Sequence, residues 1–229
     1  CAVFPSYRWY LGMKASVVKR SGAEMVLQPA RAPYVLLALA KHALLLPLVF
    51  LPPMVWAITE AAWLLSAALA APSILGFALF GLFFRWPVPK DLRQVEAVVV
   101  LALIFIITPA LSMPAFMVLG MAPVDALFEG MSALTTTGLS VATAADTWPF
   151  AGHLLRSWMQ WCGGLAMATA VLAMLIGPGA TARKFGKVNL DEGDLVASTR
   201  SRARQLLGAY GALTVLFGLA ISASTGACK

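Results

Sequence analysis

"PVDALFEGMSALTTTGLSV", Pro123 to Val141, is the stretch of this sequence that decides its fold. It lies between two long apolar runs and joins a short apolar-rich segment to three threonines and a glycine. Such hydroxyl-rich sequence is unusual in a chain that is 60% hydrophobic and only 12% charged. Either the stretch is an ordinary loop, or its backbone is built to face ions.

The composition indicates an integral membrane protein. The chain has 229 residues and a mean hydropathy of +0.83, and a soluble domain of this length needs far more charge to cover its surface. The apolar residues are grouped in blocks of bilayer-spanning length. The three cysteines have no metal-type spacing and the two histidines are too few for a histidine-rich site, so no cofactor is predicted.

The apolar blocks predict an all-α membrane fold with five spans. The first span covers about 34–57, and a tight turn at Thr59-Glu60 leads to a second span that ends near Phe84. The other three cover about 95–117, 153–177 and 206–223. Three prolines, Pro47, Pro52 and Pro53, predict a kink or an early end in the first span. The predicted segments are a tail (1–33), a transmembrane hairpin (34–86), one pore repeat (87–180), a connection (181–205) and a last helix (206–229).

The positions of the basic residues predict the orientation of the spans. Segment 1–33 carries five Lys/Arg, 85–93 three and 182–205 six, whereas the alternate loops carry almost none. Basic segments remain cytoplasmic, so the N-terminus is predicted inside, and segment 118–152 begins and ends outside. The net charge of +7 therefore reflects orientation and not a nucleic-acid partner.

The segment between the third and fourth spans is predicted to be re-entrant. "PVDALFEGMSAL" would form roughly 18 Å of helix, too short to cross a ~30 Å core. Non-helical backbone at membrane depth occurs only where protein buries it or water reaches it. Pro123 suits a first helical turn, and Asp125 places a carboxylate near the positive end of the helix dipole. The opposite end favours a cation.

The threonine–glycine run that follows supplies oxygen ligands. Residues 135–137 offer hydroxyls and carbonyls, and Gly138 permits the positive φ that turns carbonyls toward an axis. Rings of backbone carbonyls replace the hydration shell in potassium filters. The interval between Glu129 and Asp146 contains no charged residue, so a carbonyl filter is predicted in preference to a carboxylate ring.

Two charged side chains are candidates for supporting the filter. Glu129 lies four residues after Asp125 on the same helix face. It either ties the short helix to the filter loop, holds a cation at the entrance, or is a hydrogen-bonded structural acid. Arg156 can pair with Asp125, Glu129 or Asp146, or extend to the membrane interface.

Three further residues of the fourth span are candidate filter supports. Gln160 lies one turn deeper than Arg156 on the same face and is predicted to bond a neighbouring helix or the re-entrant loop. Gly163 and Gly164 are predicted to allow close packing against the short helix.

"DALFEGMSALTTTGLS", followed by "RSWMQWCGGLAM", resembles the first membrane–pore–membrane repeat of the Trk/Ktr-type (TrkH-like) potassium transporter family. The resemblance covers about Trp86 to Ala223. It implies four such repeats in one chain around a pseudo-fourfold pore. It also implies uptake of K⁺ or Na⁺ rather than enzyme activity. One departure is Ala166, where the family often has a glycine.

Carried over to this sequence, the resemblance assigns Thr136, Thr137 and Gly138 to one quarter of the filter, with potassium at Thr136 and Thr137. Thr135, Leu139 and Ser140 would flank it. The chain resembles an N-terminal fragment, because one complete repeat and the first helix of a second are present. The family further implies a bacterial inner membrane, a peripheral TrkA-type regulatory subunit and a homodimer.

Two other functions fit parts of the sequence. Gly130-Met131-Ser132 together with His153 resembles the serine–histidine pair of rhomboid intramembrane proteases, but Ala133 stands where those enzymes need glycine. Four copies of the chain could instead supply four filters to a homo-oligomeric cation channel. The fifth span has no partner within the chain, which argues against that assembly.

Overall fold

The computed structural model describes residues 30–86, 94–175 and 192–226. Within these ranges the chain forms seven α-helices and two 3-10 turns, and they include no strand, which confirms the all-α fold class. In chain order the helices are α1 Ala32–Lys41, α2 Leu45–Thr59, α3 Trp63–Phe83, α4 Gln94–Val118, α5 Pro123–Leu134, α6 Phe150–Leu175 and α7 Glu192–Gly226. The 3-10 turns are His42–Leu44 and Ala145–Thr147.

Four helical segments in the described part of the chain are long and apolar enough to cross a membrane. They are Ala32–Thr59, Trp63–Phe83, Val95–Val118 and Arg204–Ala223. Each coincides with a predicted span. The remaining predicted span lies in α6, which is 26 residues long and carries Arg156 and Gln160 in its first half. The protein is therefore a multi-helix membrane protein.

The first span is interrupted earlier than its prolines suggested. The 3-10 turn at His42–Leu44 separates α1 from α2, and α2 then continues through Pro52 and Pro53 to Thr59. Pro47 has no N–H to donate to the carbonyl four residues earlier, and its ring crowds that carbonyl. The carbonyl belongs to Ala43, within the turn. The span is thus interrupted by a 3-10 turn, and the prolines do not end it early.

The helices pack so that α5 lies between α4 and α6. Helices α2 and α3 form the predicted hairpin, and α2 also packs along α6. The central apolar cluster joins all of these elements, with Phe50, Leu65, Phe116, Leu155 and Met159 fully buried. The short helix is thus enclosed on two sides by protein.

Three helices end in the same hydrogen-bonded turn. Beyond the ends of α2, α4 and α5, the residues Ala61 (φ 55°), Gly120 (φ 94°) and Thr136 (φ 60°) have left-handed backbone. In each case the next amide donates to a carbonyl five positions earlier. This Schellman ending normally contains glycine. For a residue with a Cβ the left-handed conformation costs about 1–2 kcal/mol, so Ala61 and Thr136 are held there by their surroundings.

The last helix begins before the predicted span. Helix α7 starts at Glu192, so the second half of the predicted connection is helical, continuous with the span after it. In the described residues it packs on α6, where the ring of Tyr210 lies against that of Trp161 at a centroid distance of 5.3 Å. Residues 1–29, 87–93, 176–191 and 227–229 lie outside the described ranges, and the predicted tail falls almost wholly among them.

Candidate functional site

The short helix has the bounds that the sequence predicted. Helix α5 runs from Pro123 to Leu134 and is 12 residues long, with Pro123 in its first turn. Asp125 also lies in the first turn, where its carboxylate complements the helix dipole, although it forms no capping hydrogen bond. The helix turns Ala126, Glu129 and Gly130 and its last three residues toward the protein interior.

A strained turn follows the last residue of α5. The Thr136 amide donates to the Ala133 carbonyl at 3.1 Å and the Thr137 amide to the Ser132 carbonyl at 3.0 Å. The Thr135 hydroxyl lies 2.8 Å from that of Thr137. This geometry directs the chain sharply away from the helix axis. A β-branched threonine with positive φ is a rare conformation that is typically stabilised at functional sites.

Gly138 has the positive φ that was predicted for it, at 78°. Space for a Cβ is open there, because no heavy atom lies within 4 Å of an ideal one. The conformation rather than the surroundings therefore requires glycine at this position.

The carboxylate of Glu129 ties α5 to the loop that follows it. Its side chain is 0% exposed, and its Oε1 pairs with Nε of Arg156, which is 24% exposed. Its Oε2 accepts the Ser140 hydroxyl at 3.0 Å and the Val141 N–H at 3.2 Å. A buried carboxylate needs such partners, since an unpaired buried charge is strongly destabilising.

Arg156 joins the same loop to α6. Its Nη2 donates to the Gly138 carbonyl at 2.9 Å and to the Leu139 carbonyl at 3.2 Å. The Ser132 hydroxyl, also buried, donates to the Leu139 carbonyl at 2.6 Å. Of the three acids that were candidate partners, Arg156 pairs with Glu129. The planar guanidinium bridges a carboxylate and two carbonyls through donors held in a fixed fork, a geometry that a lysine ammonium lacks.

The backbone carbonyls of the loop fall into two groups. Those of Gly138 and Leu139 have partners within the protein. Those of Thr135, Thr136, Thr137 and Ser140 accept no hydrogen bond from any residue in the described ranges. Thr135 is half-buried, whereas Thr136 and Thr137 are exposed, as are the next three residues. Thr136 and Thr137, to which the resemblance assigned potassium, are thus exposed residues with unbonded carbonyls.

Two glycines of α6, Gly163 and Gly164, were predicted to pack closely against the short helix, and both lie close to the end of α5. A Cβ at Gly163 would lie 1.8 Å from the Leu134 carbonyl oxygen. A Cβ at Gly164 would lie 3.5 Å from Cγ2 of Thr136 and 2.6 Å from the Tyr210 hydroxyl. The last carbonyl of α5, that of Leu134, therefore lies directly against the backbone of α6.

Two candidate residues do not join the network. Asp125 is exposed at the start of α5, away from the turn at its other end. Gln160 is half-buried on α6, and the described residues supply no hydrogen-bond partner for its amide. Ser132, which sequence reasoning considered only as a nucleophile, is instead a donor to the loop.

The described residues contain no cluster of three or more His, Cys, Asp or Glu side chains that could hold a metal ion. The pairing of Ser132 with His153 is also not seen. Ser132 donates to the Leu139 carbonyl, whereas the ring of His153 lies against Trp148 at a centroid distance of 5.7 Å. The oxygen-rich loop is therefore the candidate site.

Comparison with known proteins gives consistent matches. The family model described as TrkH, cation transport protein, matches residues 94–221, more than half of the chain. The Trk system potassium uptake protein TrkH of Halomonas elongata is 32% identical over 142 residues, 59% of this chain and 30% of that protein. The same-named protein of Vibrio parahaemolyticus is 43% identical over 51 residues, 22% of this chain and 10% of that one.

An uncharacterized cation transporter of Methanocaldococcus jannaschii is 32% identical over 114 residues, 44% of this chain and 24% of that protein. The chain thus spans at most 30% of the length of these curated relatives. No solved structure matches the chain.

Proposed function

Because the chain belongs to the TrkH family of cation transport proteins, we propose that it takes part in the uptake of potassium, or of another monovalent cation, across a membrane. The family is one of transporters and not of enzymes, so a protease role is set aside. In this proposal the loop after α5 is one of four filter segments around a permeation axis. The other three come from equivalent repeats.

The observation that carries the proposal is the pair of unbonded carbonyls at Thr136 and Thr137. A monovalent cation that leaves water needs oxygen ligands in place of its hydration shell. The carbonyls of Gly138 and Leu139 are occupied by Arg156, so the loop presents its oxygens from the two residues before them. The C-terminal end of α5 adds a partial negative charge next to the same point.

The length of α5 supports a re-entrant course. At 12 residues it spans roughly 18 Å, so it reaches only about half of a ~30 Å core and must return to the side it entered. The loop at that depth would be covered by α4 and α6 on two sides and by water on the axis, as irregular backbone in a membrane requires.

The basic residues support an orientation with the N-terminus in the cytoplasm and α5 entering from outside. The proposed location is the bacterial inner membrane. The resemblance adds a homodimer and a TrkA-type regulatory subunit on the cytoplasmic side. Labelling of single cysteines from outside intact cells tests the orientation. Reaction at position 143 but not at position 90 is the expected pattern.

Substitution of the filter glycine tests the proposed function. Gly138→Ala places a Cβ on a residue with φ of 78°, which costs about 1–2 kcal/mol or forces the loop to rotate. Gly120→Ala is a matched control. Gly120 also has positive φ, 94°, and also has open space around an ideal Cβ, but it lies between α4 and α5.

Both variants would be expressed from the natural gene in cells that lack other potassium uptake systems, with initial rates of K⁺ and Na⁺ uptake normalised to protein in the membrane. We expect Gly138→Ala to lower the ratio of K⁺ to Na⁺ uptake several-fold and Gly120→Ala to leave it unchanged. Equal ratios in the two variants would overturn the assignment of the filter to this loop.

A further inference from the structure

The N-terminal hairpin, which precedes the residues that the family model matches, contacts the first turn of α6. The carboxylate of Glu60 accepts the Phe150 N–H on Oε1 at 3.0 Å and the Ala151 N–H on Oε2 at 2.9 Å. The first amides of a helix have no partner within the helix. A carboxylate placed there satisfies two of them and complements the helix dipole. Glu60 is thus the cap of α6, supplied from 90 residues away in sequence.

The turn that contains Glu60 is closed by two backbone hydrogen bonds. Glu60 is the C-cap of α2, and the turn closes with the Ala61 amide on the Ile58 carbonyl at 3.1 Å and the Ala62 amide on the Ala57 carbonyl at 2.9 Å. Ala61 holds φ of 55°, a left-handed conformation that alanine rarely adopts. Ala61 is therefore strained in the same turn conformation that places the Glu60 carboxylate against the first amides of α6.

A second contact fixes the next two turns of α6. Pro52 lacks an N–H, so the carbonyl of Leu48, four residues earlier, has no helical partner. The indole Nε1 of Trp158 donates to that carbonyl at 3.0 Å. Between the two contacts, Ala151 and Leu155 are fully buried in the cluster shared with α2. The hairpin therefore holds α6 at its first residue and again two turns later.

Arg156 lies between these two points of attachment. Its guanidinium reaches the carbonyls of Gly138 and Leu139 while pairing with Glu129. A rotation or an axial shift of the first turns of α6 would move the guanidinium relative to those carbonyls. The position of α6 thus determines whether the network that holds the loop can form.

We propose that Glu60 is a positioning residue for the filter: by capping α6 it keeps Arg156 on the carbonyls of Gly138 and Leu139. The proposal rests on the proposed function, because it assigns a filter to that loop. It gives the hairpin, which lies before the matched residues 94–221, a part in ion selection through α6 rather than through any contact with the ion.

The test compares Glu60→Ala, which removes both acceptors, with Glu60→Gln, which retains one amide oxygen. Asp146→Asn is the matched control, because Asp146 is an exposed acid in the loop just before α6 and forms no hydrogen bond with the described residues. The variants are expressed from the natural gene. The readout is the ratio of K⁺ to Na⁺ uptake at equal abundance in the membrane, with the apparent affinity for K⁺ separated from the maximal rate.

We expect Glu60→Ala to lower the uptake ratio several-fold and to weaken apparent K⁺ affinity by about tenfold, as expected for losing hydrogen bonds to a charged group. Glu60→Gln should retain part of both, and Asp146→Asn should match the unaltered protein. Since Glu60 acts through Arg156, adding Glu60→Ala to an Arg156→Lys variant should lower the ratio no further.

A Glu60→Ala protein with reduced abundance but an unchanged uptake ratio would overturn the proposal, because a purely structural cap has that effect. If Glu60→Ala does not reach the membrane, an unchanged ratio in Glu60→Gln overturns it in the same way. Failure of the proposed function can be told apart from failure of this proposal. If the loop is not the filter, Gly138→Ala and Gly120→Ala give equal uptake ratios. If only the role of Glu60 is wrong, Gly138→Ala still lowers the ratio.

Discussion

The contact between Gly163 and the end of α5 allows a sharp test of how closely the filter depends on α6. In Gly163→Ala the new Cβ would lie 1.8 Å from the Leu134 carbonyl oxygen, 2.8 Å from its carbonyl carbon and 3.2 Å from its Cα. All three are backbone atoms, so no side chain can rotate away. The last turn of α5 and α6 must separate by more than about 1 Å, and overpacking of this kind costs about 1–3 kcal/mol.

Thr136 and Thr137, whose carbonyls are unbonded, come directly after this last turn of α5, so displacing the turn also moves those carbonyls. If about 2 kcal/mol of the overpacking cost appears as lost coordination, the apparent affinity for K⁺ falls by about thirtyfold. The assay is the concentration dependence of K⁺ uptake, together with the midpoint of thermal unfolding of the purified protein. We expect both the apparent K⁺ affinity and the unfolding midpoint to fall.

Gly81→Ala is the control for this substitution. Gly81 lies within α3, and an ideal Cβ there meets no atom within 4 Å. Alanine in a helix interior is favoured over glycine by about 1 kcal/mol, so Gly81→Ala should retain full affinity. Equal apparent K⁺ affinities in Gly163→Ala and Gly81→Ala would refute the reasoning, because α5 could then shift away from α6 without disturbing the loop.

Two further substitutions probe the contacts of α5. Glu129→Gln removes the buried charge that pairs with Arg156. The loss should cost about 1.5–3 kcal/mol, because Arg156 is 24% exposed and keeps its two carbonyl partners. The unfolding midpoint and the K⁺/Na⁺ uptake ratio should both fall, and retention of either contradicts the network. Gly130→Ala places a Cβ 2.4 Å from Oγ of Ser112 on α4, so uptake should fall and should recover when Ser112→Ala removes that oxygen, whereas no recovery would place the clash elsewhere.

The bounds of α5 could be predicted to the residue because its signals are local. Pro123 is favoured in a first turn, and the threonine–glycine run disfavours a longer helix. The hydrophobic blocks likewise predicted the spans, since length and apolarity are properties of one segment. The first span is interrupted at His42–Leu44 and not at the prolines themselves, because a proline disrupts the turn that contains the carbonyl four residues earlier.

The partners within the site were not predictable from spacing. Three acids lie at plausible distances from Arg156, and only folding selects Glu129, 27 residues away. A signal was present, because Glu129 lies on the same helix face as Ala126 and Ala133, both fully buried. An acid on a buried face requires a cation or several donors. Glu60 gave no such signal, because its partners are backbone amides of a helix 90 residues later.

Thr136 shows where the conformation of the filter loop originates. Of the three Schellman endings, the one at Gly120 uses the residue that adopts this backbone without strain. Thr136 occupies the equivalent position at a cost of about 1–2 kcal/mol, and its methyl group packs 3.5 Å from where a Cβ of Gly164 would lie. Local preference therefore opposes the loop conformation, and contacts with α6 must stabilise it. Since α6 in turn contacts the hairpin through Glu60 and Trp158, the geometry of the Thr136 and Thr137 carbonyls depends on residues far from the loop in sequence.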